Sequence, residues 1–99
     1  MKEKLNSKKI IETLKREQAK MKEKGVKKIG LFGSYAKDNQ KSGSDIDFLI
    51  EFKKIDFDKY LYILNLLEKI FKKKIDLVIE EDLKPELNYV KKEAKYVKI

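Results

Sequence analysis

Between Asp45 and Phe52 the chain reads Asp-Ile-Asp-Phe-Leu-Ile-Glu-Phe. Side chains alternate across a strand, so Ile46, Phe48, Ile50 and Phe52 fall on one side. That side is an unbroken apolar row and must be core. Asp45 and Asp47 share the other side, with Cα atoms ~6.5–7 Å apart in an extended chain. Any fold for this chain must therefore supply a sheet with one packed face and another that opens on two carboxylates.

Two like charges side by side are hard to keep ionised together. Aspartate is also a poor strand former, so the pair adds nothing structural. A divalent cation would resolve the conflict. Hard ions such as magnesium prefer carboxylate oxygens and keep waters that substrate phosphates can replace. An isolated Asp-x-Asp is better read as a loop cap followed by an exposed residue, so its surroundings decide. A third carboxylate stands in Lys74-Ile-Asp-Leu-Val-Ile79. There Ile75, Leu77 and Ile79 would face the core and leave Asp76 on the opposite side. If this strand pairs beside the other, three carboxylates can hold two metal ions ~3.5–4 Å apart, an arrangement that serves in-line phosphoryl displacement.

Upstream, Gly33-Ser34 ends the segment from Val26 to Phe32, which reads as a first strand. Glycine there lets the backbone approach a ligand closely. Amides at a helix start, with the Ser34 hydroxyl, suit phosphate oxygens. A plain turn with Ser34 as helix cap explains the same two residues.

The remaining pattern supplies helices. Ile10, Ile11, Leu14 and Met21 recur at helical spacing, and predict a helix over residues 7–24 with Ser7 as N-cap and Gly25 at its end. Tyr35 to Lys37 opens a short helix, and residues 38–44 are dense in turn formers. Asp56 to Lys72 reads as a helix with Tyr60, Leu61, Leu64, Leu67, Ile70 and Phe71 as its apolar stripe. Ile75 to Glu80 is a third strand. Asp82 and Pro85 introduce a last helix whose core side is Leu87, Val90, Ala94 and Val97. The order α-β-α-β-α-β-α predicts an α/β (α+β) fold, a small mixed sheet of about three strands flanked by helices.

At 99 residues the chain points to a single domain, residues 1–99. It has neither cysteine nor histidine. Disulfides, thiolate metal sites, imidazole bases and Ser-His triads are therefore excluded. The net charge of +8 favours anionic partners: nucleotides, nucleic acid or an acidic protein surface. The charged start, Met1 to Leu5, is not followed by an apolar run, and no stretch approaches the ~20 apolar residues of a membrane span. A cytoplasmic location is the expectation. Tyr35, Tyr60, Tyr62, Tyr89 and Tyr96 include candidates for a protein interface or for partial burial on helix flanks.

Gly33-Ser34, ten residues, then Asp45-x-Asp47 resembles the Gly-Ser-x10-Asp-x-Asp signature of the DNA polymerase beta-like nucleotidyltransferases. The likeness extends through Leu31–Lys37, Ser44–Ile50, Ile75–Val78 and Glu93-Ala94 to the minimal nucleotidyltransferases, and so covers nearly the whole chain. The resemblance implies that Gly33 and Ser34 hold a triphosphate tail, with Lys37 and Ser44 as further nucleotide contacts. It implies that Asp45 and Asp47 bind two magnesium ions, and that Asp76 completes the site and helps activate the attacking hydroxyl. Many relatives have arginine at position 37 and glycine at position 38, where this chain has Lys37 and Asp38. Members of this group commonly act as antitoxins of helical HEPN-type ribonuclease toxins, and transfer AMP from ATP to a toxin tyrosine. Two alternatives stay open: a nucleotidyltransferase acting on a small molecule or RNA end, and a non-enzymatic antitoxin that neutralises by binding.

Overall fold

The computed structural model describes residues 4–99; the first three residues of the charged start lie outside the described residues. A four-stranded mixed sheet carries the fold, in the order β3-β2-β1-β4. The strands are β1 (Val26–Phe32), β2 (Ile46–Phe52), β3 (Ile75–Ile79) and β4 (Lys95–Lys98). β1 runs antiparallel to both β2 and β4, whereas β2 and β3 are parallel. The parallel pair requires a crossover, supplied by α4 (Phe57–Phe71).

The apolar row read from β2 is the centre of the core. Ile46, Phe48, Ile50 and Phe52 are all buried, against Ile29 and Leu31 of β1 and the helices above them. From the helices come Ile10 and Leu14 of α1 (Ser7–Arg16), Met21 of α2 (Gln18–Glu23), and Ile63 and Leu67 of α4. The apolar stripe of α4 is shifted from the expected one. Ile63 is fully buried, while Leu61 points outward.

The single helix expected over residues 7–24 is two. Thr13 Oγ1 donates back to the Lys9 carbonyl, a bond that bends helices. The helix then breaks at Glu17. Beyond the break Gln18 Nε2 donates to the Lys98 carbonyl of β4. The N-cap is Asn6 rather than Ser7: its side chain accepts from Lys9 N–H. Ser7 is buried one residue inside the helix. Gly25, at φ +79, ends α2 as expected.

α4 is capped by Asp56, which accepts from the N–H groups of Asp58 and Lys59, and ends at Lys72 in the left-handed conformation. The C-terminal helix is the main correction. After β3 come two 3-10 turns (Glu80–Asp82 and Pro85–Leu87), then a five-residue helix α5 (Tyr89–Glu93), then β4. Leu87, Val90 and Ala94 are not buried, so a longer helix would have had no core to face. Val97 is buried, but from a strand that pairs with β1 and covers its edge. The α/β class holds, with a fourth strand.

Candidate active site

β2 and β3 pair so that Asp47 lies directly opposite Asp76. On the other side Asp47 faces Phe32, the last residue of β1. Ile46, Phe48, Ile75 and Leu77 enter the core, so both carboxylates stand on the opposite face of the sheet. Asp45 precedes β2 by one residue, half-buried.

The Asp47 carboxyl is pushed up to about 6. Burial is the first cause; the charges of Asp76 and of Asp45 follow, with a side-chain hydrogen bond to Asp76. The three acids expected to act together are thus electrostatic neighbours, and Asp47 and Asp76 touch. Among the described residues, no three acidic side chains are closed around a common point that could enclose an ion. The donor set still fits a hard cation. A carboxylate that resists ionisation because it is half-buried, and because two others adjoin it, is the conflict a divalent ion removes.

Gly33 begins α3 (Gly33–Ala36) at φ +75. A Cβ placed there would overlap Asp47 Oδ2 and come within 3.0 Å of its Cγ. Only glycine lets the turn after β1 press its backbone against the Asp47 carboxylate. α3 starts two residues earlier than the short helix expected at Tyr35. The Ser34 carbonyl accepts from the Lys37 and Asn39 N–H groups, which closes the turn and leaves the hydroxyl unused among the described residues.

Lys37 is exposed, 3.8 Å from Glu93 Oε2. Ser44 sits at the exit of the loop. Its Oγ accepts from Lys41 N–H, and its own N–H donates to the Lys41 carbonyl. The structure thus gives Ser44 a loop-closing bond beside the acids.

Asp38 is at φ +54, a conformation that glycine takes freely and aspartate tolerates. Its carboxylate accepts from Ser7 N–H at 2.9 Å and from Ser7 Oγ at 3.0 Å. Those two bonds, ahead of the Lys95 charge, hold its carboxyl below the usual value. Lys95 Nζ also donates to Ser7 Oγ. Asp38 therefore ties the loop to the start of α1 and, through Ser7, to β4.

Two tyrosines make contacts that sequence reading missed. Tyr60 of α4 donates its hydroxyl to the Leu77 carbonyl, next to Asp76. Burial, then the Asp76 charge, raises the Tyr60 hydroxyl above its usual range. Tyr96 of β4 lies over Gly30 and donates to the buried Glu80, which also pairs with Lys28. Burial and that bond push the Tyr96 hydroxyl well up. Tyr35 is core, while Tyr62 and Tyr89 are exposed. Beside β3 a groove of ≈ 380 Å³ runs between Tyr60 and Val78, rimmed by the exposed Ile55 and Phe57.

Comparison with known proteins places the chain in a family. The nucleotidyltransferase domain family model matches residues 7–98. MJ1379 of Methanocaldococcus jannaschii, provisionally named a protein adenylyltransferase, is 40% identical over 78 residues, 75% of this chain and 78% of that protein. A solved minimal nucleotidyltransferase superposes with a TM-score of 0.80 at 22% identity, covering 95% of this chain and 98% of that one. A toxin–antitoxin crystal structure with AMP-PNP superposes with a TM-score of 0.65 at 26% identity, covering 93% of this chain and 72% of that one. Among the described residues, no helix is long and apolar enough to cross a membrane.

Proposed function

Because this chain belongs to the nucleotidyltransferase domain family, we propose that it is a protein adenylyltransferase antitoxin, which moves AMP from ATP to a tyrosine of a HEPN-type toxin. The observation that carries this reading is the pairing of Asp47 with Asp76, with Gly33 pressed against Asp47. Support also comes from the protein adenylyltransferase relative and from the likeness to a toxin–antitoxin structure with an ATP analogue.

Asp45, Asp47 and Asp76 would hold magnesium, which when bound neutralises phosphate charge and aligns the reacting groups. Gly33, pressed against Asp47, and the Ser34 hydroxyl would receive the triphosphate, with Lys37 as an outer cation. The tyrosine oxygen attacks the α-phosphorus, and the bond from that phosphorus to the β-phosphate bridging oxygen breaks. Pyrophosphate leaves with the electron pair. A carboxylate, assigned here to Asp76, takes the tyrosine proton. Without histidine, carboxylates are the chain's available bases near neutral pH. The exposed Ile55 and Phe57 beside β3 favour a macromolecular acceptor over a small one.

The test is incubation with labelled ATP, magnesium and the product of the neighbouring gene. Label should appear on a tyrosine of that protein and vanish with Asp45→Asn plus Asp47→Asn. Neutralisation that survives the double substitution would replace transfer by simple binding. Label on RNA or a small molecule would name a different acceptor.

A further inference from the structure

A second concave region of the molecule is strongly basic. A cleft of ≈ 820 Å³ lies between α1, the end of α4 and the loop before β2. Lys4, Arg16, Lys41, Lys72 and Lys73 line it, and among the described residues no carboxylate does. Ion pairs among the described residues engage Lys20, Lys27, Lys28 and Lys37 instead. Arg16 gives one N–H to Thr13 Oγ1. Five cations around one concavity repel one another and focus a positive potential inside it.

The cleft is distinct from the carboxylate site. Its floor includes Phe71, whose ring packs on Phe48 at 6.0 Å between centroids. Phe48 points into the helix layer, away from the face that carries Asp47. The Phe71 floor of the cleft and the Asp47 carboxylate therefore lie on opposite faces of the same sheet.

We propose that this cleft binds a single-stranded nucleic-acid segment. Three features select that ligand. The cations come from four separate stretches of chain, which suits an extended ligand of repeating charge. Leu5, Ile70 and Phe71 give an apolar floor that base planes can cover and carboxylate side chains cannot. Gln40, in the wall, turns its Nε2 to the Leu5 carbonyl and leaves Oε1 buried with no partner. Base amino groups are donors of the kind that acceptor lacks; an acidic peptide side chain has none. This inference stands apart from the transfer reaction, and neither depends on the other.

The test uses the whole protein in EDTA, with a fluorescein-labelled oligocytidylate, whose bases carry amino groups, and anisotropy as readout. Five phosphate contacts at ~0.7 each predict a slope of log K against log salt near −3.5, or about 100-fold weaker binding for a fourfold rise in salt. Arg16→Gln, Lys41→Gln and Lys73→Gln together should flatten the slope to about −1.4. The control Lys54→Gln, Lys84→Gln and Lys92→Gln removes equal charge outside the cleft and should leave the slope steep. Should the cleft triple melt early, Lys41→Gln alone, on the exposed loop, should still flatten the slope by ~0.7. Equal losses from both triples, or no salt-sensitive binding at all, would overturn the proposal. Displacement of the oligonucleotide by polyglutamate at equal charge would overturn it in favour of an acidic protein partner.

Discussion

Replacing Asp47 by asparagine should stabilise the metal-free protein at neutral pH while it removes a proposed metal ligand. Asp47 is raised from 3.8 to about 6 in the folded chain. The folded state therefore holds this proton more tightly than the unfolded state does. Stability falls wherever the native state binds more protons, so this group is neutral to stability below about pH 4 and costs progressively more as pH climbs to about 6. Above about pH 6 the cost is constant. At ~1.4 kcal/mol per unit the whole shift corresponds to ~3 kcal/mol. Asp47 is only half-buried, and solvent screening reduces the net cost to about 1–1.5 kcal/mol. For a chain of this size that is roughly 4–10 °C in Tm.

Thermal melts in EDTA measure it directly. Asp47→Asn should melt about 4–10 °C above the parent at pH 7.5 and close to it at pH 4. Magnesium should raise the parent's Tm at pH 7.5 and leave the variant unmoved. A variant that melts below the parent in EDTA at pH 7.5 refutes the reasoning. So does a difference that is the same at both pH values, because the clash of Asp47 with Asp76 and Asp45 would then not exist.

Three further outcomes follow from contacts around the site. Gly33→Ala must place a Cβ on the Asp47 carboxylate at φ +75, and should cost about 1–3 kcal/mol in denaturant unfolding and most of the transfer activity. Tyr96→Phe deprives the buried Glu80 of a donor and should cost about 1–2 kcal/mol, with transfer retained in whatever fraction stays folded. Asp38→Ala loses both bonds to Ser7 and keeps the left-handed strain, whereas Asp38→Gly loses only the bonds; the alanine variant should show the lower Tm, and the reverse order would mean that the backbone there is unstrained.

Much of the site was legible because strand period is unforgiving. The residues Ile46, Phe48, Ile50 and Ile75, Leu77 declare their face, and Asp47 and Asp76 then have only one other. The parallel pairing that makes them direct neighbours is not written in either segment; it depends on the crossover through α4. The C-terminus misled for a physical reason. Leu87, Val90, Ala94 and Val97 satisfy helical spacing, but Tyr96, Val97, Lys98 and Ile99 also alternate as a strand. The open edge of β1 decided between them: Val97 pairs opposite Ile29, and Ile99 N–H donates to the Lys27 carbonyl. At the first helix, Asn6 and Ser7 are both able caps, and Ser7 was drawn inside by Asp38, 31 residues away. Long-range bonds of that kind leave no local trace. The exchange of glycine for aspartate at position 38, read as a departure from the relatives, is the sequence sign of that tie.

The apolar face of β2 does more than stabilise. A slip of one residue against β1 or β3 would send Asp45 and Asp47 into the helix layer and bring Ile46 and Phe48 into water. Phe48 and Ile46 are fully buried, and Ile75 and Leu77 nearly so, so such a slip would cost several side chains at about 1.5–3 kcal/mol each. The repulsion among the acids is smaller than that. The core therefore dictates the register, and the register forces Asp47 against Asp76 and Gly33 in spite of their mutual cost. A site assembled in this way is preorganised by residues that never touch it, and a cation has a strained pair of carboxylates to bind rather than two free ones to gather.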